Sequence, residues 1–321
     1  MIPSPSDPIA LQIGPVAIPW YGVGYAVAIG FGAWLTARLA RLRGLDTRHI
    51  GDALLWVIVA GVIGARLYHV IDQWQLYKDD WLKIVLPPYS GLALYGGVFG
   101  GMVGGFIYIR RQGERFLPWV DVAIPALFFG QAIARWGNFA NQELYGPPTN
   151  LPWGIGIDCA HRVAAYLCPG DPNLLPGQVP VPIDAGFQPL FFYESSMTFL
   201  GGLIALFLLT RLSARLRDGD LLAFWLIWYG LLRTALETFR LSYDFTFFGL
   251  PVAIILGLSA TAAGFLLLVI NHLRSPVADR RAVEAGEAGE GPPAADAEDS
   301  PLAEAADSPL AEAAGPPDAL T

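Results

Sequence analysis

Seven stretches of this chain are apolar over about 20 residues each, the length needed to cross a hydrocarbon core. They fall at roughly 20–40, 50–71, 91–109, 118–136, 188–210, 220–239 and 249–271. Each is a long continuous apolar run and not a segment alternating in polarity every second residue, so the pattern predicts helices and excludes barrel strands. The polar connections between them predict their direction. Arg38, Arg41, Arg43 and Arg48 follow the first stretch; Arg110, Arg111 and Arg115 follow the third; Arg211, Arg215 and Arg217 follow the fifth; Arg274, Arg280 and Arg281 follow the last. The alternate connections hold only Lys78, Lys83, Arg162 and Arg240. Thirteen basic residues against four, on every second connection, place the N-terminus outside and the C-terminus in the cytoplasm. Met1–Ala10 has no lysine or arginine and does not read as a cleavable leader, so the first span is expected to remain in the mature protein.

Three arginines break the apolar pattern. Arg66, Arg135 and Arg233 lie late in spans 2, 4 and 6, and an arginine at a bilayer centre costs about 2.5–3.5 kcal/mol or more, which makes it a functional-site hypothesis. All three of these spans run outward, so the three cations share the outer half of the membrane. By the same topology Tyr95, Tyr193, Glu194, Glu237 and Arg240 lie at outer depth. Arg233, Glu237 and Arg240 are spaced i, i+4, i+7 on one helix face, so that Glu237 can orient both guanidiniums toward a common anion. A phospholipid phosphate is such an anion, and the planar, permanently charged arginine fork suits it. A salt-bridged rim tying helix ends together is the plainer alternative. An arginine-lined pore is another, but it requires cations through the whole thickness.

Composition agrees with this picture and adds a tail. With 54% hydrophobic and 15% charged residues, the chain is an all-α polytopic membrane protein and not a soluble domain. Most of the formal charge of −8 comes from residues 284–321. That segment holds Glu, Asp, Pro, Ala and Gly with a perfect duplication of DSPLAEAA at 299–306 and 307–314, and is expected to be a disordered spacer. The expected organisation is a membrane domain over 1–274, including an outer loop at 137–187, and an acidic cytoplasmic tail over 275–321. The densest polar cluster, Arg135 to Gly154, opens that loop, and we expect a folded cap there over the site. Cys159 and Cys168 lie in the same loop, where an oxidising compartment permits a disulfide; a free thiol pair is the alternative. Span 3 carries Gly96-Gly97, Gly100-Gly101 and Gly104-Gly105, a stripe that lets a helix or a lipid approach its backbone.

These residues resemble those of the bacterial prolipoprotein diacylglyceryl transferase family across most of 19–240. The run Arg135-Trp136-Gly137-Asn138-Phe139-Ala140-Asn141-Gln142-Glu143-Leu144-Tyr145-Gly146 is similar to the family signature GRxGNFxNxExxG, with Ala134 in place of its leading glycine. Similar matches are Trp20-Tyr21-Gly22, Gly64-Ala65-Arg66-Leu67-Tyr68, Gly91-Leu92-Ala93-Leu94-Tyr95-Gly96-Gly97, and Tyr229-Gly230 with Arg233, Glu237 and Arg240. The chain departs from some members in having Tyr95 for histidine and Gln188-Pro189 for a His-Pro pair.

The resemblance implies transfer of the diacylglyceryl group of phosphatidylglycerol to the lipobox cysteine of a prolipoprotein at the outer face of the bacterial cytoplasmic membrane, releasing glycerol phosphate. Arg135 and Arg233 would hold the phosphate and stabilise its developing charge, with Glu237 orienting Arg233 and Arg240 assisting. Asn138, Asn141, Glu143 and Gly146 would shape the headgroup pocket, lined by Tyr21, Tyr193 and Glu194, with Arg66, Gly96 and Gly97 as further substrate contacts. Tyr95 is cast as a hydrogen-bond donor, because a phenol ionising near about pH 10 is a poor base for a thiol. The base for the thiol stays open between His69, His161, Glu143, Glu194 and Glu237. No cofactor, metal or nucleic-acid partner is expected; the partners are the lipid, the prolipoprotein and the bilayer. A metal-dependent phosphatidyl transferase lacks its aspartate cluster here, an intramembrane serine protease lacks a serine–histidine pair at matching depth, and a transporter requires an inner polar path, for which only Asp52 and Asp121 are available.

Overall fold

Each predicted apolar stretch folds as one helix. The computed structural model describes residues 1–273 apart from 6, 15, 86–90, 92, 240–245 and 248, and it leaves out the side chains of Val16, Leu94, Tyr95, Thr246 and Phe247. Arg240 and the expected tail lie outside the described residues. Among those described, the helices are α1 (Trp20–Leu42), α2 (Ile50–Asp72), α3 (Leu94–Arg111), α4 (Phe116–Ala140), α5 (Leu190–Arg211), α6 (Asp220–Glu237) and α7 (Val252–Leu273). Five of them, α1, α2, α4, α5 and α7, are long and apolar enough to cross a membrane. The other two are 18 residues long. Paired glycines dilute the apolar character of α3, and Asp220, Arg233 and Glu237 dilute that of α6.

The centre of the bundle is α4, which packs on α1, α5 and α6. Half of its apolar window is buried, against 11% of that of α2. Phe128, Val122 and Ile124 of α4 are enclosed with Leu39 of α1, Ala205 and Leu209 of α5 and Leu221 of α6. Peripheral helices leave large side chains uncovered, such as Leu55, Val59 and Val62 on α2 and Phe265, Leu266 and Val269 on α7. Such continuous apolar faces are stable against lipid and a liability in water.

Two seams bring helix backbones together. On α3, a Cβ on Gly96, Gly100 or Gly104 would strike the α2 backbone at Gly64, Ala60 and Trp56 respectively. Gly230 and Gly257 join α6 to α7 in the same way. At the opposite end from the arginine cluster, the carboxylate of Asp121 on α4 accepts from the backbone N–H of Gly219 (2.7 Å) and Leu222 (3.1 Å), capping α6 from outside its own chain segment.

The connection from α4 to α5 is folded. Strands β3 (Ile155–Gly156) and β4 (Gly186–Phe187) pair antiparallel, after the N-terminal hairpin of β1 (Ile9–Ile13) and β2 (Val16–Pro19), and β5 (Thr246–Phe247) with β6 (Leu250–Pro251) forms a last short ribbon. Tyr145, Ile155, Ile157, Tyr166, Phe187 and Phe191 make a second small core in this connection. Beside it Arg162 donates to the carbonyls of Ile157, Val181, Pro182 and Ile183 at 2.7–3.1 Å and lies over the Phe187 ring. Burial pulls the Arg162 pKa down, while Tyr145, Asp158 and Asp184 oppose that shift. Burial pushes the Tyr145 phenol up, countered by the bond it accepts from the Val163 N–H and by Arg162. The N-terminus adds to this layer: Ile2 pairs in parallel with Ile155, and Ser4 Oγ donates to the Gly156 carbonyl.

A disulfide joins Cys159 and Cys168, nine residues apart, around Arg162. Closing a loop of that length removes unfolded-state freedom worth about 2–3 kcal/mol. The double serine variant is expected to be cleaved faster by protease within 141–189 than the native chain. Equal cleavage rates would show that Arg162 and the aromatic core hold this segment without the bridge.

Candidate active site

The end of α4 and the start of α5 bring the polar residues together. Arg135 Nη2 lies 2.5 Å from Glu194 Oε1, with side-chain exposures of 25% and 5%, so the carboxylate is sealed while the guanidinium keeps an open side. Arg135 Nη1 reaches Asn138 Oδ1 at 3.5 Å. The Asn138 amide donates to Glu143 Oε2 at 3.3 Å and the Asn141 amide to Glu143 Oε1 at 2.9 Å. Ser195 pins the two helices beside this chain of contacts by donating to the Ala132 carbonyl at 2.9 Å. A guanidinium has five donors. Among the described residues, Glu194 and Asn138 are the partners of Arg135, which leaves other guanidinium donors able to meet an anion.

The backbone turn that carries Glu143 is unusual. After Ala140 the N–H of Gln142 bonds to the Phe139 carbonyl and that of Glu143 to the Asn138 carbonyl, the paired pattern that ends a helix on a left-handed residue. Glycine ordinarily fills that position, but here it is Gln142 at φ 55°, and Leu144 follows at φ 57°. Each costs about 1–2 kcal/mol in this region. Gln142 is buried, and its amide holds three groups: it donates to Asp158 Oδ2 (2.7 Å) and the Pro5 carbonyl (3.0 Å) and accepts from the Asp158 N–H (2.7 Å).

Arg233 and Glu237 form an ion pair on α6 at 3.0 Å, with side-chain exposures of 16% and 4%. The Asp121 cap sets the height of α6 against α4. From that tie Arg135 lies 14 residues along α4 and Arg233 11 to 14 along α6, about 21 Å and about 17–21 Å at the helical rise. Both arginines therefore lie toward the C-terminal ends of helices that run in the same direction. A further tie, Trp225 Nε1 to Gln131 Oε1 at 3.2 Å, lies below them.

The remaining predicted residues divide. The Tyr21 ring packs on Gly137, where any Cβ would collide with it, and its hydroxyl lies 3.2 Å from that of Tyr25. A Cβ on Gly146 would press on Leu190 and Gln188 at 3.1–3.2 Å, so its role in the structure is close packing under α5. The Tyr193 hydroxyl accepts from Trp153 Nε1 at 3.0 Å. Arg66 donates to the carbonyls of Lys83, Ile84 and Gly91 and lies over the Tyr77 ring, anchoring the connection between α2 and α3. Gly96 and Gly97 face α2. Tyr95 is the second residue of α3, its side chain outside the described set. Of the two outer histidines, His69 packs on Gly91 and Tyr77, and His161 sits in a short turn beside the disulfide.

A cavity of about 650 Å³ opens between α1, α4 and α5, lined by chain neighbours of Arg135 and Glu194 and not by those two side chains. Its walls include Val23, Val27, Ala132, Trp136, Phe192 and Phe199, and Pro5 closes one side. Among the described residues no group of histidine, cysteine and carboxylate side chains is placed to hold a metal.

The sequence pattern of the family described as prolipoprotein diacylglyceryl transferase matches residues 8–270. The chain belongs to this family. Among similar proteins, the phosphatidylglycerol–prolipoprotein diacylglyceryl transferase of Paenarthrobacter aurescens is 38% identical over 258 residues, covering 78% of this chain and 77% of that one. The enzyme of that name from Synechococcus elongatus is 34% identical over 266 residues, covering 82% and 86%, and that from Shouchella clausii 32% identical over 269 residues, covering 84% and 91%. Within this transferase chain, sequence reasoning did not single out Gln131, Gln142, Trp153, Ser195 or the N-terminal segment. None of them left a legible sign, since their partners lie 16 residues or more away along the chain.

Proposed function

We propose that this chain transfers the sn-1,2-diacylglyceryl group of phosphatidylglycerol to the lipobox cysteine thiol of prolipoproteins, the first step of lipoprotein maturation. The cysteine sulfur bonds to C3 of the glyceryl group, the C3–O bond to phosphate breaks, and glycerol phosphate leaves with the bonding electrons. The thiol proton passes to a carboxylate of the site. One observation carries the reading: a partly exposed arginine, backed by a sealed glutamate and flanked by amides, sits on the stretch of α4 whose neighbouring residues Ala132, Trp136 and Gly137 line an apolar cavity that suits an acyl chain.

In this reading Arg135 and Arg233 grip the phosphate from α4 and α6, and Glu194 and Glu237 hold their forks in place. Preorganised donors of this kind are worth most where water is excluded. Asn138, Asn141 and Glu143 border the headgroup, with Tyr21 and Tyr193 at its edge. The assignment of Tyr95 and Arg240 to the same site rests on the sequence, and Arg66 acts by anchoring. All seven helices span the cytoplasmic membrane, with the N-terminus and the cap outside, the site facing the outer leaflet, and residues 275–321 a cytoplasmic spacer beyond the membrane domain. A transporter would need its inner carboxylates free. Asp121 instead caps α6, and Asp52 accepts from Tyr108.

The test is mass spectrometry of a lipobox-cysteine peptide after incubation with the purified protein in phosphatidylglycerol vesicles, with glycerol phosphate assayed in parallel. A diacylglyceryl adduct matched by glycerol phosphate is expected, with the same yield from a chain ending at residue 283. Absence of adduct from protein that binds the lipid would refute the reaction, and loss of yield on truncation alone would refute the spacer.

A further inference from the structure

Gln142 combines three features. It occupies the left-handed position at the end of α4, it is buried, and its amide bonds to Asp158 in the cap and to Pro5 of the N-terminal segment. Glycine would take the backbone conformation freely. The turn as such therefore does not call for glutamine, and the side-chain contacts do. Those contacts converge on the residue before Glu143, whose carboxylate receives the amides of Asn138 and Asn141. Leu144, also left-handed, closes the far side, its carbonyl accepting from the Phe191 N–H at the start of α5 at 3.0 Å. Glu143 is thus suspended between two constrained residues, one tied to the cap and the N-terminus, the other to α5.

We propose that Gln142 is a positioning residue for the reaction: by locking the end of α4 to Asp158 and Pro5 it fixes the Glu143 carboxylate toward Asn138 and Arg135, and makes transfer depend on the cap and the first five residues. Pro5 lines the apolar cavity and receives the Gln142 amide, so one side chain sets both the carboxylate and a wall of the cavity. The inference rests on the proposed function, in which Glu143 borders the phosphate.

Gln142→Gly separates this role from a structural one. It removes the three side-chain bonds while relieving the backbone, so a side chain that matters only for folding shifts the melting temperature and leaves kcat native. The proposal instead predicts a fall in kcat of about 10-fold to 100-fold, as expected for a group displaced by an ångström or so, with KM for phosphatidylglycerol nearly unchanged. Deleting residues 1–5 is expected to lower kcat in the same direction, and adding Gln142→Gly to the deletion to cost less than it does alone. Native kcat in Gln142→Gly would overturn the inference. Glu143→Gln is assayed beside it: if that variant keeps native turnover, the placement of Glu143 in the site is wrong and this inference falls with it. An inactive Glu143→Gln with a fully active Gln142→Gly overturns the positioning role alone.

Discussion

Arg135→Lys and Arg233→Lys are each expected to slow diacylglyceryl transfer about 100-fold or more while the protein remains folded and inserted, because each keeps the charge and loses the fork. Lysine is the sharper test, since alanine has two effects at once. Arg135 is the partner of Glu194, and Arg233 of Glu237, and both carboxylates are at most 5% exposed. Truncating either arginine strands a buried carboxylate, which costs about 3–5 kcal/mol of stability whatever the catalytic role. A lysine ammonium can still neutralise the glutamate, but as a point charge it cannot hold the carboxylate and a phosphate in fixed directions together. The rate is measured with a lipobox peptide in vesicles at saturating phosphatidylglycerol, and folding by a monodisperse elution profile. A lysine variant with near-native turnover removes that arginine from the phosphate.

The apolar windows named all seven helices among the described residues to within about four residues at each end, because a continuous hydrophobic run of that length folds as a helix with little else asked of the sequence. The pairing at the site was legible only where partners lie close in sequence. Arg233 with Glu237 is a helical i, i+4 pair and could be read directly. Arg135 with Glu194 joins residues 59 apart through the packing of α4 on α5, which no spacing rule encodes. Arg66 shows the converse. Its depth was read from its span, but its direction depends on a connection whose carbonyls at Lys83, Ile84 and Gly91 fold back over it. Depth is a property of a segment. Direction is a property of the fold.

The folded cap was inferred from the density of polar residues after α4, and its aromatic core, its disulfide and the Arg162 carbonyl cage account for why so proline-rich a stretch holds a shape. The N-terminal segment that bridges to it carries no such signature. Residues 1–5 contribute backbone hydrogen bonds at Ile2, the Ser4 hydroxyl and a carbonyl at Pro5, groups too common for composition to single out.

Gly100→Val is expected to destabilise the bundle by about 3 kcal/mol or more, the upper range for overpacking, because what the new side chain meets cannot move aside. Its Cβ would run into the Ala60 carbonyl oxygen and come within 3.0 Å of Gly64 Cα, both of them α2 backbone. Gly97→Ala is the control one turn away on the same helix: its Cβ would lie 3.5 Å from the Ala65 Cβ, an ordinary contact, and native stability is expected. The contrast distinguishes a seam of touching backbones from a general preference for small residues in this helix; equal melting temperatures of the two variants in the same detergent would rule the seam out. Activity should fall with stability in Gly100→Val. The seam also holds the start of α3, where the Ala93 N–H bonds to the Ala65 carbonyl at 3.1 Å and the Gly91 carbonyl receives Arg66, so prising the helices apart disturbs the connection between them as well. Arg135→Lys, by contrast, should lose turnover at unchanged melting temperature, and the two variants together separate the scaffold of the reaction from its chemistry.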